Sequence, residues 1–143
     1  MKPLFAALLL LLGISAGCPN HTDTTPSIVD TKWLFSLPPD VADEYSSPTG
    51  ELIHFRIQAN DSAVAGYTGC NHFMGTSTLG ENSAIAFSKM ASTRMACLDA
   101  VVPEHRFLRI FENAANYSVS GDTLTLRDEE GRELGHFYRN AEP

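Results

Sequence analysis

Leu52-Ile53-His54-Phe55-Arg56-Ile57-Gln58 is the stretch that decides the fold class. Ile53, Phe55 and Ile57 alternate with His54, Arg56 and Gln58. A period of two puts the apolar set on one face and the polar set on the other, the mark of a half-buried β-strand. The pattern recurs upstream, where Trp33, Phe35 and Leu37 share one face of residues 31–37 and Pro38-Pro39 ends the run. Between the two strands, residues 40–50 are polar and turn-rich. Downstream, Asn60-Asp61 marks a turn. Strands are then expected from Val64 to about Thr68, from Phe73 to about Leu79, and over 84–87 after a hairpin turn at Gly80-Glu81-Asn82.

One segment breaks the period. Pro103 suits the start of a helix, where its missing N–H is no loss. Glu104 favours the positive end of the helix dipole. Phe107, Leu108, Phe111, Ala114 and Ala115 recur at helical spacing, with Arg106, Arg109, Glu112 and Asn113 on the other side. That stripe reads as core. Short strands follow at 117–119, 123–126 and 134–138, separated by Gly121-Asp122 and by residues 128–131. Strands, one helix, then strands describe an α+β domain: a small antiparallel sheet or half-open barrel with one packed α-helix.

Composition narrows the function. A chain of 143 residues with 43% apolar content suits one domain. Ten basic residues against 17 acidic ones give a net charge of -7, which argues against nucleic acid as a partner. The five His are scattered without metal-ligand spacing. Neither a phosphate-cradling glycine loop nor a nucleophile elbow is present, so no cofactor, metal or catalytic residue is assigned and the protein reads as a non-enzyme. Asp43-Glu44 and Asp128-Glu129-Glu130 read as solvated loop charges. Clustering of His72, His105 or His136 with acidic groups in a pocket would reopen the enzymatic reading.

The N-terminus carries an address. Lys2 precedes an apolar run over 4–12, then Ser15-Ala16-Gly17-Cys18. This is the order of a secretory signal, and the run is shorter than the ~20 residues of a membrane span. Residues 1–17 read as signal peptide, 18–30 as a polar, proline-containing tether and 31–139 as the folded domain. Ser15-Ala16-Gly17-Cys18 resembles the bacterial lipobox, with Ser15 where Leu is preferred. That resemblance implies a lipidated Cys18, palmitate included, and a membrane anchor. Pro19, in place of the Asp of inner-membrane retention, points to the outer membrane. Cleavage by ordinary signal peptidase would instead leave a periplasmic or secreted protein.

With Cys18 set aside, Cys70 and Cys97 remain. In an oxidising compartment an even pair reads as a disulfide, worth about 3.5 kcal/mol for a loop of roughly 28 residues. Two buried free thiols are the alternative.

Two motifs carry a family resemblance. Residues 66–75 read Gly-Tyr-Thr-Gly-Cys-Asn-His-Phe-Met-Gly, and 90–97 read Met-Ala-Ser-Thr-Arg-Met-Ala-Cys. With the Trp33 strand and the closing 121–126 segment, they resemble the META domain family of HslJ-like heat-shock lipoproteins, over roughly residues 31–138. His72 stands where that family often has Arg. The resemblance implies a bacterial envelope protein linked to stress response or envelope maintenance, with no cofactor and no catalytic set. A pilot-like chaperone of an outer-membrane assembly and a small hydrolase inhibitor with a protruding loop at 38–50 are the alternatives. Within the motifs, Gly69 and Gly75 permit unusual backbone shapes and Asn71 is expected to fix the bend through neighbouring backbone groups. Thr93 and Arg94 can bond strand ends or a carboxylate. Asn71, His72, Thr93 and Arg94 are thus scaffold or a recognition surface for an envelope protein partner.

Overall fold

The computed structural model describes residues 27–37, 50–60, 62–97 and 102–140. The signal segment, Cys18, Asp43-Glu44 and most of the 38–50 loop lie outside them. Eight strands form one sheet: β1 (Trp33–Phe35), β2 (His54–Ile57), β3 (Ala63–Tyr67), β4 (His72–Leu79), β5 (Ile85–Ser92), β6 (Asn116–Ser120), β7 (Thr123–Arg127) and β8 (Glu133–Arg139). Helix α1 (Glu104–Asn113) joins β5 to β6. The spatial order is β5-β4-β3-β2-β1-β8-β7-β6, and each neighbouring pair is antiparallel. One short α-helix against eight strands among the described residues makes this a mostly β fold rather than an evenly mixed α+β one.

The sheet curls until its two edges meet at one end. Ala84 bridges Asn116, and the Ile85 amide donates to the Ala115 carbonyl at 2.9 Å. The result is a half-barrel whose concave side holds α1. The inward residues of the alternating strands meet the apolar stripe of the helix there. Trp33, Phe55, Phe111 and Phe137 are fully buried, with Phe107 close to it. Phe111 packs edge-on against Phe55 and Phe87 with ring centroids at 5.1 Å in both pairs, a favoured geometry for aromatic pairs. Phe107 does the same against Phe35 at 5.1 Å. The concave side is therefore filled by side chains.

Most elements lie where the periodicity places them, and the departures have local causes. β5 continues to Ser92 rather than stopping at Phe87, passing an irregularity at Lys89, whose φ is 54°, and pairing with β4 again at Ala91 and Ser92. That irregularity, opposite a register shift between Met74 and Thr76, hides the period of two. Ile110 joins Phe107 and Phe111 on the buried face of α1, and Ala114 is buried just past the helix end. The folded unit also begins ahead of residue 31. Ile28 is buried, its carbonyl accepts from the Trp33 indole at 3.0 Å, and the Asp30 amide donates to the Ile57 carbonyl at 2.7 Å. Residues 28–30 therefore belong to the domain, although their polar neighbours suggest tether.

Candidate functional site

The bend between β3 and β4 is built by Thr68-Gly69-Cys70-Asn71. The Thr68 amide donates to the Asn71 carbonyl at 2.9 Å, and the Thr68 hydroxyl accepts from the Asn71 amide at 3.0 Å. Gly69 has φ 94°, a left-handed conformation that a side chain would strain. Gly75 serves otherwise: its φ is not positive, but an added Cβ would collide with the Met90 sulfur, and the Ser88 carbonyl lies 3.0 Å from the same point. Thr68, which the motif alone does not single out, is thus the residue that closes the bend.

The Asn71 side chain is thereby released from local bonding and reaches across the chain. Its Oδ1 accepts from the Thr93 hydroxyl and from the Met95 amide, both at 2.8 Å. Its Nδ2 donates to Glu104 Oε2 at 2.5 Å, with the Met95 carbonyl at 3.2 Å and Cys70 Sγ at 3.4 Å. The other Glu104 oxygen accepts from the Ser92 hydroxyl at 2.6 Å. Asn71 itself is only 3% exposed. One buried amide thus joins the β3–β4 bend, the stretch after β5 and the first residue of α1. Beside it the Cys70 and Cys97 sulfurs are bonded, with Cα atoms 6.0 Å apart. That bond ties the bend to the same stretch.

The four motif residues divide. Asn71 and Thr93 enter this network. His72 points to the convex side of the sheet, where its ring lies 5.1 Å from that of Tyr67. Arg94 is exposed and enters no ion pair among the described residues. Glu104 was legible only as a helix-terminal charge, yet it is the acceptor that completes the site. Among the described residues, one surface hollow holds His72 without an acid and another holds acids without a histidine, while His136 Nε2 lies 3.1 Å from Glu133 Oε2; no group of three or more potential metal ligands occurs among them.

A second polar structure replaces what sequence suggests is a solvated loop. Asp128 is 7% exposed. It accepts from Arg132 Nε at 2.7 Å and from the amides of Arg132 and Glu130 at 2.8 and 3.0 Å. Burial opposes its ionisation, but these bonds outweigh that and hold the carboxyl below its usual range. The same pairing raises the pKa of Arg132. Glu129 and Glu130 do face solvent. On β2, His54 is held below the ordinary imidazole range, chiefly by burial, with the Lys32 and His72 charges adding to the effect against the Leu52 carbonyl and Glu51.

A curled antiparallel half-barrel filled by one helix, with an asparagine hub beside a disulfide, defines a small disulfide-braced β domain. The META domain profile matches residues 30–141, and the chain belongs to the META domain family. That family is not a known enzyme family. No curated protein matches the chain. Among solved structures, an NMR structure of a protein from Burkholderia xenovorans is 21% identical with a TM-score of 0.60, covering 80% of this chain and 85% of that one. A crystal structure of a DUF4847 family protein from Bacteroides vulgatus is 13% identical with a TM-score of 0.59, covering 81% and 96%. Both share the fold.

Proposed function

We propose that this protein is a non-enzymatic envelope lipoprotein of the META, HslJ-like type, anchored through Cys18 in the outer membrane facing the periplasm. It serves stress response or envelope maintenance through protein or lipid contacts. The observation that carries the reading is the state of Asn71. Both atoms of its side-chain amide are engaged by Thr93, Met95 and Glu104, so the most distinctive motif residue acts as scaffold. A filled concave side weighs against the pilot-like alternative, in which an apolar peptide enters the barrel. The inhibitor alternative rests on a loop most of which lies outside the described residues.

Mass spectrometry of the mature N-terminus tests the anchor. The expected product begins at Cys18 and carries acyl chains, and Cys18→Ala should release the domain from the membrane fraction. An unmodified mature N-terminus at or after position 18 would sink the lipoprotein reading. Crosslinking in intact envelopes tests the contacts, and recovery of abundant bystanders alone would remove the specific-partner reading.

A further inference from the structure

The convex face of β1–β4 carries a hollow that the Asn71 site does not use, and strand register builds it. His54, Tyr67 and His72 are direct cross-strand partners on β2, β3 and β4. The next row on the same face is Arg56, Ala65 and Met74. Carrying the β1–β2 register one residue past Trp33 and Phe55 sets Lys32 opposite Arg56. Trp33 and Phe55 are fully buried on the concave side, so this row faces out. Ala65 contributes one methyl group between Arg56 and Met74, and the surface dips there. The resulting open groove has a volume of about 470 Å³, within the range of small-ligand sites.

Its charge is opposite to that of the chain. The whole protein carries a net charge of -7, yet among the described residues no carboxylate lines the groove, while Lys32, Arg56, His54 and His72 do. Lys32 and Arg56 enter no ion pair among the described residues. His54 Nδ1 lies 2.9 Å from the Leu52 carbonyl, so Nδ1 donates there and Nε2 remains unbonded among the described residues. Glu51 lies 3.6 Å from His54 Nδ1. Met74, 66% exposed, forms an apolar wall.

An unpaired guanidinium presents a planar fork of donors and an unpaired ammonium a compact charge, the combination that holds a phosphate. We propose that this hollow binds a small phosphate-bearing anion, gripped by Arg56 and Lys32, flanked by His54 and His72, with the carbon part of the ligand against Met74. The concavity over Ala65 favours a compact anion over a flat membrane surface, which would meet only the rim.

The test is an NMR titration of the ¹⁵N-labelled protein at constant chloride with pyrophosphate and with glycerol phosphate, and in a separate arm with phosphatidylglycerol vesicles. Saturable shifts are expected at the amides of Ala65, Gly66, His72 and Met74. Arg56→Gln and Lys32→Gln should each weaken binding about tenfold or more, a loss of the size expected for one charge-assisted contact. Ala65→Leu, which fills the hollow and leaves every charge in place, should abolish it. Arg109→Gln, an exposed charge on α1, should leave it unchanged. The proposal is overturned if Ala65→Leu binds as the parent does, or if Arg109→Gln weakens binding as much as Arg56→Gln. Vesicle binding without saturable binding of either phosphate would overturn it too, assigning the cations to a membrane surface.

Discussion

Replacing Asn71 by Ala should destabilise the domain by about 3 kcal/mol. The side chain holds the Thr93 hydroxyl and the Met95 amide at 2.8 Å, and Glu104 Oε2 at 2.5 Å. A neutral bond contributes about 1 kcal/mol and one to a charged group roughly 1.5–3 kcal/mol. The three together approach 4 kcal/mol. Part returns because Glu104 is only half-buried and Met95 is 57% exposed, so water can reach the freed groups. A loss of this size lowers Tm by on the order of 12 °C for a domain of this length. Denaturant unfolding at pH 7 measures it directly. Asn71→Asp sharpens the test, since it keeps the shape and sets a second carboxylate against Glu104. Two carboxyls so placed cannot both ionise cheaply, so the folded state holds an extra proton. Stability of that variant should therefore be lower than that of the Ala variant at pH 7 and recover as pH falls toward 5. A loss below about 1 kcal/mol for Asn71→Ala, or no recovery of Asn71→Asp in acid, would refute the assignment of Asn71 as the hub.

The remaining expectations concern packing, crosslinking and protonation. Phe111→Ala, at a fully buried ring between Phe55 and Phe87, should cost about 3–5 kcal/mol and leave a cavity, read as a fall in the denaturation midpoint; an unchanged midpoint would mean the concave side can repack. Reducing the Cys70–Cys97 bond should lower stability by about 3.5 kcal/mol, and Cys70→Ala with Cys97→Ala should then be insensitive to reductant. Because the imidazole of His54 is held below its unfolded value of 6.5, the unfolded chain binds more protons just below that pH. Its contribution is whole above pH 6.5 and is lost as pH falls through the lowered value. His54→Gln should flatten the stability profile over that window, and an identical slope in both proteins would contradict the shift. Asp128, held low by Arg132, acts at more acidic pH: its contribution is present above the ordinary carboxylate range and lost as pH falls through the depressed value. Asp128→Asn should make the profile less steep in acid, read by unfolding between about pH 2 and 5.

Sequence periodicity alone determined which residues of β1 and β2 point inward and where helix α1 lies. Ile53, Phe55 and Ile57 declare their face through chemistry that is local and repeats every second residue. The two motifs were legible for the same reason, since they are contiguous. What periodicity cannot state is which strands become neighbours. That β1 lies between β2 and β8, and that β5 and β6 meet at Ala84 and Asn116, depends on chain closure over long separations. The role of Asn71 is hidden from the sequence for that reason. Its side chain could have satisfied the backbone of its own bend, but Thr68 does so, and its partners come from residues 93, 95 and 104. Asp128 looked solvated because its loop is polar, and only the return of Arg132 over it makes burial tolerable. The cationic hollow is likewise a product of register: Lys32, Arg56 and His72 are far apart in the chain, and the antiparallel pairing of four strands sets them around one small alanine.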